Sequence, residues 1–179
     1  MARDFISHAE AVRKRVNAHL LRNLDAASIF AVRAARANLR PGGASGFKTS
    51  RGGAGLSGSV GHEINKALFT SRVGTNMKYA RIQEQGGMIT TKGKKLTVPV
   101  SNEAKKSRGA TYMNDLELIP RRGKNSLLAR VGENFELDVH WVLVDSVTLP
   151  PRPYLRPALT KNRAAITKLL LKPIPPTVK

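Results

Sequence analysis

The 179-residue chain carries 31 Lys and Arg against 12 Asp and Glu, a formal net charge of +19. It has no cysteine, which excludes a disulfide framework and a cysteine-ligated metal site. No apolar run approaches the ~20 residues of a membrane-spanning helix, and the start Met-Ala-Arg-Asp-Phe-Ile-Ser-His lacks the apolar stretch of a secretory signal. The expectation is one α+β domain kept in solution, with an anionic partner to match its charge. That charge is uneven. Residues 1–40 hold eight basic and three acidic side chains, residues 92–108 six and one, and residues 152–179 seven and none.

Residues 1–40 read as a long amphipathic helix. Phe5, Ala9, Val12, Val16, Leu20, Leu24, Ala27, Ala31 and Ala34 recur at steps of three or four. Ser7 with Glu10 offers a capping box for a later start, a bend near Asn23 to Asp25 is allowed, and Pro41-Gly42-Gly43 ends the helix. Residues 41–61 are Gly-rich: eight of the fifteen glycines lie between 40 and 61. A loop of this length is expected to be functional or disordered. Gly53-Ala-Gly-Leu-Ser-Gly58 has dinucleotide-fingerprint spacing, but no hydrophobic strand precedes it, so it is not read as one.

Residues 62–150 form the sheet core of this reading, a small antiparallel or mixed sheet with a short inserted helix. Ala67 to Val73 is a β-type run that Gly74 ends. Thr75 or Asn76 is a candidate N-cap. Tyr79 and Ile82 share a face of the helix that follows, and Gly86 or Gly87 closes it in a left-handed conformation. Leu96-Thr-Val-Pro-Val100 alternates, and Pro99 confines it to an edge or a bulge. Asp115–Ile119 and Ser126–Val131 form a hairpin. Val139 to Val144 is the most apolar run and the expected central strand, with Trp141 in the core. Pro150, Pro151 and Pro153, with Arg152, make a stiff connector into a basic C-terminal helix over Tyr154 to Leu171, bearing Leu155, Leu159, Ile166, Leu169 and Leu170. A Pro-rich tail closes residues 151–179.

Gly74, Tyr79-Ala80, Glu84 and Gly86-Gly87 together resemble the signature of a tailed-bacteriophage family, the virion-morphogenesis or tail-completion proteins of Mu-like phages and their tail-component relatives. Pro99 in its short strand, and Pro150, Arg152, Pro153 and Leu155 in Leu-Pro-Pro-Arg-Pro-Tyr-Leu155, resemble the later pieces in the same order. Here Leu149 and Tyr154 stand where isoleucine and phenylalanine are commoner. The resemblance covers about residues 56–160. It implies a structural protein of the virion tail or neck, assembled in the host cytoplasm, which completes the tail and helps join it to the head as a ring of identical subunits. Its implied partners are itself, the tail tube and the head–tail connector, with genome DNA in the channel as a further candidate. The first helix and the Gly-rich loop are the expected subunit contacts. Lys92, Lys94, Lys95, Lys105, Lys106 and Arg108 in one loop, and Arg156, Lys161, Arg163, Lys168 and Lys172 in the last helix, are the expected partner- or DNA-facing residues. The alternative is a non-specific nucleic-acid-binding protein, favoured by an isoelectric point near 11.2 and opposed by the lack of an aromatic stacking platform.

No enzyme is read from the residues. His62-Glu63 lacks the second histidine of a zinc-protease helix, and His8 and Glu10 diverge on a helix. His140 has no carboxylate partner recognisable by spacing. Glu63, Glu84, Glu103 and Asp145 form no carboxylate pair, and Glu84 suits a helix-to-loop hydrogen bond better than acid–base work. No cofactor, metal or small-molecule substrate is expected.

Overall fold

The computed structural model describes residues 2–40 and 55–175, with side chains from His8 onward. Phe5, Ser7 as a side chain, the Gly-rich stretch 41–54 and the tail from Pro176 lie outside the described residues. The class is α+β, and every strand pair is antiparallel. The backbone groups into two compact units, residues 1–85 with 151–179 and residues 86–150. The single sheet core expected over 62–150 is therefore divided. Its first hairpin belongs with the helices.

The first unit is built on α1 (Ala2–Asn38). The helix starts ahead of Ser7 and continues through Asn23, so neither the later cap nor the bend is used. Its buried side differs from the expected stripe. Burial follows His19, Asn23, Ala27, Ala31, Ala35 and Leu39, steps of four along one inclined ridge. Val12 and Leu20 of the expected stripe are exposed. Alanine dominates this ridge because neighbouring backbones come close there. Leu39, Val32 and Ala35 form one core with Leu56, Val60, Ala80, Tyr154 and Ala158.

Leu56 belongs to a single helical turn, α2 (Leu56–Ser59). The sequence reading placed it in the loop, yet it anchors the core. A hairpin follows, β1 (Gly61–Asn65) and β2 (Thr70–Gly74), in register from Gly61 opposite Gly74 to Asn65 opposite Thr70. It is tied to α1 by His62, whose Nε2 donates to Asp25 Oδ1 at 2.8 Å, and by a 2.6 Å contact between the hydroxyls of Ser28 and Ser71. Next comes α3 (Ala80–Gln85). It begins later than expected. Thr75 caps a turn, accepting from the Met77 N–H at 3.2 Å, and Tyr79 stays outside the helix, partly exposed.

In the second unit β3 (Gly87–Thr90) pairs with β8 (Ser146–Leu149), a pairing the sequence reading did not assign. The four-stranded sheet has the order β4 (Leu96–Pro99), β7 (Leu137–Val144), β6 (Leu127–Val131), β5 (Glu117–Ile119). β4 lies at an edge, as the missing Pro99 N–H requires, and β7 is central. The polar excursion after β4 contains α4 (Asn102–Lys106) and a 3₁₀ turn at Ala110–Tyr112. Opposite β6, the pairing jumps from Trp141 to Val139, so His140 is the extra residue of a bulge. The bulge explains why His140 and Trp141, neighbours on a strand, are both buried. Trp141 Nε1–H finds its acceptor in Met113 Sδ at 3.3 Å.

The expected C-terminal helix is two: α5 (Leu155–Thr160) and α6 (Arg163–Leu170). Tyr154 and Ala158 carry the burial, four residues apart, while Leu159 and Leu170 are exposed. The last carbonyls of α6 have no helical partner, and α1 supplies one. Asn23 Nδ2 donates to Leu170 O at 3.1 Å and to Lys172 O at 2.9 Å. His19 Nε2 lies 2.8 Å from Lys172 O. A carbonyl only accepts, so this nitrogen carries the proton, and the 3.1 Å approach of Asn23 Nδ2 to it is two donors converging on one oxygen. Replacing Asn23 by alanine removes the side-chain donor from Leu170 O and leaves Lys172 O with His19 alone. At these part-buried bonds the expected cost is about 0.5–1.5 kcal/mol, read as a lower urea midpoint with unchanged slope.

Candidate functional site

Of the three pieces that carry the resemblance, the first and last meet across 70 residues of sequence, and one carboxylate joins them. Glu84 sits in the last turn of α3. One of its oxygens accepts from the backbone N–H of Tyr154 at 2.7 Å and of Leu155 at 2.9 Å, and the other from Arg156 N–H at 2.9 Å. These are the orphan donors at the start of α5, a helix with no acidic residue in its own first turn. Glu84 thus provides from a distance the negative charge that favours a helix N-terminus. Two more backbone bonds complete the junction. Arg152 N–H donates to Gln83 O at 2.8 Å, and Asn38 Nδ2 donates to Tyr154 O at 2.9 Å. Pro153, between them, has no N–H to satisfy. Arg152 itself contributes its backbone, and its side chain is exposed.

The other motif residues divide by physical role. Ala80 is buried in the core beside Tyr154. Gly86 and Gly87, at φ 72° and 143°, need the freedom of glycine to leave α3. Gly74 does not. It is not left-handed, and a Cβ there would meet nothing within 4 Å. It lines an open concavity of about 530 Å³ with Ser59, His62, Arg72, Thr75 and Asn76. Tyr154 is buried, and its hydroxyl has no partner. Burial, with the Glu84 carboxylate next, pushes that phenol up to about 12.

The expected partner-facing cations are exposed. β4 separates the six assigned to residues 92–108. Lys92, Lys94 and Lys95 precede the strand, and Lys105, Lys106 and Arg108 follow it on and after α4. At the first end the β5–β6 turn arrives as well. Lys95, Arg121 and Lys124 line one open concavity of about 560 Å³ with Gly123, Asn125, Val142 and Asp145. The sequence reading treated 120–125 only as a turn and missed Arg121, Arg122 and Lys124 as partners of the 92–95 cluster. The hairpin register, which brings the turn to that end, was the available signal. Arg156, Lys161, Arg163, Lys168 and Lys172 are spread over α5, α6 and the residues after them.

At the other end of β4, His140 does have a carboxylate nearby. Its Nε2 lies 3.1 Å from Oδ2 of Asp138, two residues along the strand, as an ion-pair contact without hydrogen-bond alignment. Nδ1 of His140 is 2.8 Å from Ser101 Oγ. The serine, histidine and aspartate are the residue types of a hydrolase triad, but here they fasten a corner. Ser101 Oγ caps α4, accepting from Ala104 N–H at 3.0 Å, and the His140 carbonyl accepts from Val100 and Ser101 N–H. Glu103 on α4 makes a bidentate pair with Arg130 at 2.9 and 2.8 Å. Those bonds hold the Glu103 carboxyl below its ordinary value and raise Arg130. Among the described residues no group of three or more His, Asp or Glu is placed to hold a metal ion, and no helix is long and apolar enough to cross a membrane.

Compared with protein-family models, curated proteins and solved structures, the chain matches none.

Two variants test the junction. Glu84→Ala strands three backbone donors at once and is expected to cost about 2–3 kcal/mol, with loss of helical signal on melting. Tyr154→Phe removes an orphaned hydroxyl and is expected to be neutral or stabilising at pH 7. A phenol raised in the folded state stabilises fully below its unfolded value, near 10, and that contribution is lost as pH rises through about 12. The urea midpoint of the native chain therefore falls more between pH 10 and 12 than that of Tyr154→Phe.

Proposed function

We propose that this chain is a structural protein of a bacteriophage tail or neck, acting by assembly to complete the tail and join it to the head. The observation that carries the reading is the Glu84 junction. The resemblance rests on three pieces, Gly74 to Gly87, the Pro99 strand and the Pro150 to Leu155 run. A single carboxylate of the first, bonded to the backbone donors of Tyr154, Leu155 and Arg156, gives a physical reason for the first and last to occur together. Assembly into a ring needs a heterologous contact between copies. The first half of α1 supports that role, because Val12 and Leu20 lie on its apolar stripe and are exposed, at 58% and 45%. Buried in a neighbouring subunit, two such side chains contribute on the order of 1.5–3 kcal/mol each.

A second reading, sequence-blind nucleic-acid binding, is favoured by the concavity that Lys95, Arg121 and Lys124 line.

The test is electron microscopy of a lysate from a phage lacking this gene, with purified protein added back. Native protein is expected to join separate DNA-filled heads and tails. The Val12→Glu/Leu20→Glu variant is expected to melt like the native chain, since both positions are exposed, but to stay monomeric in native mass spectrometry and fail to join them. Normal particles in the absence of the gene would sink the assembly role.

A further inference from the structure

We infer that the concavity at one end of the four-stranded sheet is a binding groove for the phosphodiester backbone of nucleic acid, held without reading sequence. Two turns build it. Residues 91–95 lead into β4 and bring Lys92, Lys94 and Lys95. Residues 120–126 join β5 to β6 and bring Arg121, Arg122 and Lys124. Because β4 runs antiparallel to β7, and β7 to β6, the start of β4 and the β5–β6 turn come to the same sheet end. Two inter-strand spacings, roughly 10 Å, separate β4 from β6, so the two turns act within about one Debye length of each other.

Both turns have defined shapes. Gly93 and Gly123 are left-handed, at φ 74° and 69°, with open space around them. The Thr91 hydroxyl donates to Lys94 O, and Arg121 Nε donates to Asn125 O at 2.9 Å. The cations are thus presented on closed turns. Asp145 is the one acidic residue among those lining the concavity, and Lys95 pairs with it. That leaves Lys92, Lys94, Arg121, Arg122 and Lys124 in the two turns without an acidic side chain against them.

The lining identifies the ligand class. Val142 is the one apolar side chain in it, and no aromatic lines it. A protein partner of ordinary affinity needs a desolvated apolar centre, and base recognition in a single strand needs a stacking platform. Neither is present. Ammonium and guanidinium groups on an open surface fit a repeating anion instead. Duplex DNA presents one charge per about 1.7 Å of axis, so cations on two turns roughly 10 Å apart face several phosphates at once.

The full chain is titrated with a duplex of arbitrary sequence at three salt concentrations. Lys94→Gln/Lys124→Gln removes one cation lining the concavity and one on the turn beside it, and keeps the Arg121 turn bond. It is expected to weaken binding about tenfold or more and to lower the slope of log K against log salt by about 2. Lys105→Gln/Lys106→Gln, at the other end of β4, loses the same charge and is expected to leave the slope unchanged. Equal losses in both pairs would mean a general charge effect and overturn the groove. Equal affinity for polyglutamate of matched charge would assign the groove to an acidic polypeptide and overturn its ligand. The ligand assignment rests on the nucleic-acid reading. DNA binding that both pairs retain in full keeps that reading without the groove, and no DNA binding by the native chain at low salt ends both.

Discussion

A helix of six residues cannot hold itself together in water, and α5 is such a helix. It exists because the Glu84 carboxylate closes its first turn and because Tyr154 and Ala158 are buried against α1. The cap and the burial depend on each other. The carboxylate reaches three N–H groups only while α3 is held beside them, and Ala80 of α3 packs in the core that Tyr154 occupies. Loss of that one charge would release α5, uncover Tyr154 and loosen the C-terminal helices against α1. The motif residues are therefore best understood as parts of a joint.

The other end of the same C-terminal segment follows the same logic. Asn23 and His19 on α1 satisfy the last carbonyls of α6. Two polar side chains thus lie on the buried ridge of α1, where a purely apolar helix face would be expected. They are buried because the group facing them is backbone, and a backbone carbonyl out of water requires a donor. α1 therefore uses alanines where side chains pack and polar residues where a helix ends against it. Val12 and Leu20 in its first half are left outside, which suits a helix with a further contact to make.

The second unit shows how one extra residue changes a surface. The bulge at His140 turns that side chain inward while Trp141 stays in the core. The buried ring then needs partners, and Ser101, Asp138 and the Glu103–Arg130 pair surround it. This network fixes α4 at one end of β4. The basic residues that look continuous in the sequence are consequently split between two ends of a strand. At the groove end they meet cations from a different turn, and that grouping sets the electrostatics there.

Much of the architecture was legible from local chemistry. A sustained period near 3.6 marked α1, Pro99 marked an edge strand, alternation on both sides of Pro120 to Asn125 marked the β5–β6 hairpin, and a continuous apolar run marked the central strand. These are short-range rules, and they hold wherever neighbours in sequence settle the outcome. The failures share a cause. Which face of α1 is buried, where the C-terminal helix breaks, why Leu56 leaves the loop for the core and how β3 finds β8 all depend on groups far along the chain. Periodicity predicts an apolar face but cannot say that Asn23 will meet the carbonyls of Leu170 and Lys172. The sequence by itself determined the α+β class, the cationic character and some of the regular segments, among them α1, the edge strand β4, the β5–β6 hairpin and the central strand β7. Tertiary structure alone decided that Glu84 caps α5 and that Lys95 shares a groove with Arg121 and Lys124, because hydrogen bonds and electrostatic fields act through distance in space.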